Sequence, residues 1–215
     1  MEMNLKNKRT QRNFKMMISF FVVLLLMMIS AGCSNALKGK DVKNYVEPLD
    51  KKSVEMKTAE LLTDSGNVFL FRYHTTDSFR TLSFYVTEYQ NGKMVSKREL
   101  GGVDYSSSES PKEGMIAMVS YFEKGYIHLI EADNGGKYST EIPILEKEEN
   151  IEKYGRSAVS ILEQKDIQYN REQSIVAFLY GENGISAIPI EEIEKGNVKD
   201  VQDGYIYCFS VEFDQ

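Results

Sequence analysis

From residue 67 onward the apolar residues fall into short runs with a period of two, separated by clusters of glycine, asparagine and serine. Residues 68–74 are apolar-rich, 81–89 alternate as TLSFYVTEY, and Asn91-Gly92 stands between that run and 93–100. An Asn-Gly pair between alternating runs predicts a two-residue hairpin, because a type I′ turn needs positive φ at both central residues. A second group follows a Gly/Ser-rich break at 101–112: 115–122 and 126–132 flank Glu-Lys-Gly, and Asn134-Gly135-Gly136 leads into 137–144. A third comprises 158–164, 174–180, a turn at 182–184, and 185–190, with 205–213 closing the chain. Many short strands with such turns predict an all-β protein, an antiparallel β-sandwich of about nine or ten strands built from β-hairpins, with short helical connections.

Two departures from period two stand out. Residues 53–62 fit a short helix, with Val54, Thr58, Leu61 and Leu62 near one face, and equally fit a first strand. The tripeptides Ile142-Pro143-Ile144 and Ile188-Pro189-Ile190 each precede an acidic stretch and lie 46 residues apart, and the Asn-Gly pairs at 91, 134 and 183 are 43 and 49 apart, spacings close to the length of a propeller blade. Three such units are fewer than the four blades at which propellers usually start, so the sandwich is preferred. Each proline removes a ladder donor and belongs at an edge or a strand end. The acidic stretch at 146–155 leaves open a division into two lobes there.

The N-terminal pattern differs in kind. Residues 1–15 carry Lys6, Lys8, Arg9, Arg12 and Lys15 against Glu2, and a nearly continuous apolar run ends at Ile29, followed by Ser30-Ala31-Gly32-Cys33. A basic end, a short apolar core and small residues form the three-part pattern of a secretory signal, and the run is short of the roughly 20 apolar residues of a spanning helix. Ser30-Ala31-Gly32-Cys33 resembles the lipobox of bacterial lipoproteins, with Ser30 where a large aliphatic residue is usual and Ile29 one step earlier. The resemblance covers residues 1–33. It implies that the Cys33 thiol is alkylated by a diacylglyceryl group, that the bond after Gly32 is cut, with Ser30, Ala31 and Gly32 admitting the peptidase, and that the chain is held on the extracytoplasmic face of the cell membrane. Two acyl chains hold a protein on a bilayer where one does so marginally. The expected organisation is a cleaved signal over 1–32, a lipidated tether over 33–52, polar and lysine-rich, and a β domain over 53–215.

Removal of residues 1–32 takes five basic residues and one acid from totals of 26 and 32, leaving 21 against 31 and a net charge of −10. An acidic body argues against nucleic acid, whose affinity requires lysine and arginine on phosphates. With Cys33 lipidated, Cys208 has no partner, so packing rather than disulfides must hold the domain; within an apolar strand it reads as a buried inert thiol.

The remaining chemistry is thin. His74 and His128 are the only histidines and sit in no zinc motif. No nucleophile elbow is present, and the serine-rich 104–111 has the composition of a flexible linker. Acidic runs at Glu146, Glu148, Glu149 and Glu152 and at Glu191, Glu192 and Glu194 read as solvated faces, and Asp133-Asn134-Gly135 as a turn. No catalytic residue, metal site or cofactor is expected. Thirteen tyrosines and eleven phenylalanines put aromatics on both faces of 81–89 and 205–213, so the second face needs a cover: another segment, a glycan or a partner. The expected function is a non-catalytic binding or accessory module of the bacterial envelope that engages a protein or a cell-wall polymer. The alternative is an envelope hydrolase whose site is assembled only in three dimensions, recognisable by His74 or His128 beside an acid in a cleft.

Overall fold

In the computed structural model, which describes residues 44–63, 67–146, 150–182, 184–199, 201 and 203–215, two antiparallel sheets face one another. The elements in chain order are β1 (Tyr45–Pro48), α1 (Val54–Leu62), β2 (Val68–His74), β3 (Thr81–Gln90), β4 (Lys93–Asp104), β5 (Glu113–Tyr121), β6 (Tyr126–Asp133), β7 (Lys137–Pro143), β8 (Gly155–Ser160), β9 (Lys165–Asp166), β10 (Gln173–Gly181), α2 (Ile190–Glu194) and β11 (Gly204–Asp214). One sheet has the order β7-β6-β5-β2-β1-β9 and the other β4-β3-β11-β10-β8. The expected β-sandwich of hairpins is therefore the fold.

The hairpin at Asn91-Gly92 forms as its chemistry requires, with φ of 52° and 72°. Residues 43–215 form one compact unit, so the lobe division considered near 146–155 does not occur. The core explains why: Phe71, Tyr73, Ile116, Met118, Ile127 and Leu129 of the six-stranded sheet belong to one cluster with Phe84, Phe178, Tyr180, Phe209, Val211 and Phe213 of the five-stranded sheet. Phe69 and Phe178 join the sheets edge to face, their rings 5.5 Å apart.

Three local expectations need correction. The tether expected to run to residue 52 gives way to strand β1, whose Val46 is fully buried opposite Tyr73. Residues 185–190 do not make a strand: β10 already lies between β8 and β11 and has no free edge, and Pro189 instead precedes α2, whose Ile190 and Ile193 are buried. The two Ile-Pro-Ile tripeptides are thus not structural repeats, since Pro143 ends edge strand β7 while Pro189 caps a helix. Finally, α1 forms, capped by Ser53 Oγ accepting from Met56 N at 3.1 Å, but it packs through Met56 and Ala59 on Leu49, Val68, Leu70 and Val119. The stripe of Val54, Leu61 and Leu62 faces outward, 77–83% exposed. The phase is set by the cap and by Leu49, whose N–H bonds Leu70 O at 2.9 Å and seats the helix start over the outer face of β2.

The second apolar face of the five-stranded sheet is covered by the chain itself. Ile190, Ile193, Val198 and Val201 are buried, and Tyr89 donates to Ile193 O at 3.4 Å. Beneath this cover Cys208 is 3% exposed, with Sγ 3.4 Å from Ser174 Oγ, and burial pushes its thiol up to about 11. Native protein at pH 8 is therefore expected to leave Cys208 unlabelled by a thiol reagent and to take up one equivalent in denaturant; fast labelling without denaturant would contradict the packing.

Candidate functional site

Proline ends the ladder that would otherwise close the sandwich on one side. β1 pairs with β2 from Tyr45 opposite His74 to Pro48 opposite Phe71, then leaves, and Ser53 N bonds Asp50 O to turn the chain into α1. Among the described residues, the first residues of β2 keep only the Leu49 bond on that side. In the facing sheet, β8 is the edge strand and, among the described residues, pairs with β10 alone. Between these two edges lies a groove of about 970 Å³, within the range of natural ligand sites.

Its floor and walls are mainly apolar: Phe69 and Phe71 from β2, Ala158 and Val159 from β8, and Ile161 and Leu162 just after it. Leu162 is 89% exposed at the mouth. The rim is polar, with Lys51, Glu60, Asn67, Glu163, Gln164 and Glu191. Lys165 also reaches the groove, but its ammonium is engaged by the Glu194 carboxylate at 3.1 Å and by Ser174 O at 3.3 Å. Glu194 is held in turn by the backbone N–H of Ser174 at 3.2 Å. The arrangement can desolvate an apolar ligand and fix it with a few peripheral polar contacts.

A second polar group lies between the sheets, away from this groove. Glu131 on β6 is 1% exposed; its Oε1 accepts from Tyr73 Oη at 3.0 Å and its Oε2 has no hydrogen-bond partner among the described residues. Gly114 makes the contact feasible, since a Cβ there would collide with the Tyr73 ring. Burial, with a smaller contribution from the Asp133 charge, pushes the Glu131 carboxyl up to about 7. Asp133 accepts from Tyr105 Oη and from the backbone N–H of Gly136 at 2.8 Å. Burial and these carboxylates push the Tyr73 and Tyr105 phenols well above the usual tyrosine range. The chain signals this site by one anomaly: Ile127 and Leu129 point inward, so the alternation puts Glu131 inward too.

The residues singled out from the sequence are dispersed. Ser30, Ala31, Gly32 and Cys33 lie outside the described residues. His74 does meet an acid, Nδ1 standing 3.4 Å from Glu113 Oε1 with the ring stacked on Tyr45, but on the outer face of the six-stranded sheet and not in the groove. His128 sits on that outer face opposite Glu141. The serine-rich segment is more ordered than a linker: Ser110 is buried and its Oγ accepts from Phe79 N at 3.1 Å, while Tyr105 is buried against Phe79. Asp133 holds its turn through Gly135 and Gly136, as its sequence implies. Among the acidic runs, Glu191 reaches the groove rim, Glu192 pairs with Lys195, and Glu148 and Glu149 lie outside the described residues. Among the described residues, no cluster of three or more His, Cys, Asp or Glu side chains could hold a metal ion, and no helix is long and apolar enough to cross a membrane.

Comparison with protein families, with curated proteins and with solved structures gives no match in any of the three. The groove therefore has to be interpreted from its own geometry.

Proposed function

We propose that this protein is a non-catalytic binding module of a bacterial cell envelope, held by lipid on Cys33 at the extracytoplasmic face of the membrane, that takes its partner in the groove between β2 and β8. The observation that carries the binding role is the groove itself: an apolar slot with a polar rim at the open side of the sandwich. The anchor rests on the sequence Ser30-Ala31-Gly32-Cys33. The two parts fit together, because a body of net charge −10 gains little from anionic lipid and needs an acyl anchor to stay at the surface. The hydrolase alternative calls for a histidine and an acid in a cleft, and the His74–Glu113 pair stands on a sheet face instead.

Labelled palmitate fed to the producing cells is expected to enter the wild type and not Cys33→Ala, with the variant released from the membrane fraction. Equal labelling of both would remove the anchor. Cross-linking in living cells followed by mass spectrometry tests the binding role: one envelope component should be enriched with wild type and lost both in Cys33→Ala and in Leu162→Glu, which puts a charge at the groove mouth. Retention of that component by Leu162→Glu would move the interface elsewhere.

A further inference from the structure

The four sheet edges are not protected alike. Exposed strand edges invite pairing with other chains and are ordinarily blunted by charge, proline or brevity. β4 carries Lys93, Lys97, Arg98 and Glu99, β7 carries Lys137, Glu141 and Pro143, and β9 is two residues long. β8 carries one charge, Arg156, paired with Glu123 at 2.8 Å, and none of these devices over residues 157–160, Ser-Ala-Val-Ser, the part of the edge that lines the groove. Ile161 N bonds Ile175 O across the ladder at 3.0 Å, so by alternation Ala158 and Ser160 turn their N–H and C=O away from β10, toward the open side.

The geometry points to strand addition: the groove's occupant is an extended segment of a partner protein that pairs with the free edge of β8 as a sixth strand of the five-stranded sheet. Main-chain bonds to Ala158 and Ser160 would supply register, and every second side chain would enter the slot floored by Phe69 and Phe71. Charge selects among such segments. With Lys165 committed to Glu194, the rim presents Glu60, Glu163 and Glu191 against Lys51, so the partner segment is apolar at alternate positions and flanked by lysine or arginine. This rests on the groove being the binding surface, as proposed above, and goes beyond it in naming a polypeptide over a cell-wall polymer or a lipid.

The test uses the mature protein and the synthetic peptide Lys-Val-Thr-Val-Thr-Val-Thr-Lys, followed by NMR titration and amide exchange. Binding in the range of about 10–100 μM is expected, with slowed exchange at Ala158 and Ser160. Peptide N-methylated at alternate residues should bind at least about tenfold more weakly, and glutamate-capped peptide several-fold more weakly. Ala158→Pro removes an N–H that the ladder does not use, so it should match the wild type in unfolding midpoint and lose peptide binding by about tenfold or more. No binding at about 1 mM, or binding indifferent to both N-methylation and Ala158→Pro, overturns strand addition. So does a shift of the groove resonances by a fatty acid or a peptidoglycan fragment but not by the peptide. Those outcomes leave the binding-module reading standing as long as the cross-linked component is still lost in Leu162→Glu.

Discussion

The stability advantage of Glu131→Gln over the wild type is expected to grow by about 3 kcal/mol between pH 4.5 and pH 8, at roughly 1.4 kcal/mol per pH unit over the window in which the wild type loses its proton. The sign follows from a carboxyl whose folded-state pKa is raised, from its ordinary 4.5 to about 7. Below about 4.5 both folded and unfolded chains hold the proton and the group adds no slope. Between there and about 7 only the folded chain holds it, so the wild type loses stability as pH rises. Above about 7 the loss is complete. The cause is physical isolation: Glu131 is 1% exposed and, among the described residues, has one hydrogen bond, from Tyr73, and leaves its second oxygen unpartnered beside the Asp133 charge. Glutamine keeps an acceptor for Tyr73 without the titration. Denaturant unfolding of both proteins from pH 4 to pH 8 measures the difference, which cancels the repulsion common to an acidic chain; parallel curves would mean that Glu131 is solvated in solution.

Phe178→Ala is expected to cost about 3–5 kcal/mol, a large part of the stability of a domain this size. Phe178 is 1% exposed, and its ring meets Phe69 from the facing sheet at 5.5 Å and Phe209 on the neighbouring strand at 5.9 Å, both edge to face. Truncation therefore opens a void in the layer where the two sheets meet, and close-packed β10, paired on both sides, cannot collapse into it. Since Phe69 also floors the groove, the variant should bind the partner segment more weakly as well as unfold earlier. A loss below about 1 kcal/mol in urea unfolding would show that the sheets are not joined there.

Much of the architecture is written locally. Asn91-Gly92 can hardly be anything but a tight hairpin; β3 buries one face in the core, and β4, none of whose residues is buried, is held by its ladder to β3. The strands missing from the sequence reading, β1 and β9, are four and two residues long and sit in polar surroundings. Nothing local holds them; they exist because Tyr45 and Val46 pair with Asp166 and Lys165 on one side and with β2 on the other. The reverse holds for 185–190, a run apolar enough to be a strand but following β10, whose two edges are already taken by β8 and β11. The outward stripe of α1 follows the same logic, since local periodicity shows that a helix has an apolar face but not which face a sheet will take.

The functional features divide along this line. The proposal that Ser30-Ala31-Gly32-Cys33 directs lipidation rests on consecutive residues, which lie outside the described ones. Glu131 could be suspected from alternation, but its isolation depends on Tyr73 crossing Gly114 and on an unpartnered oxygen, which are facts of packing. The groove is wholly tertiary. It joins residues 48–71 to residues 158–191, and exists because Pro48 ends one ladder where β8 leaves another unfinished. By itself the chain determined its tight turns and most of its strands, because these depend on neighbours in sequence; which edges stay open and what they enclose was decided only when distant segments competed for the same partners.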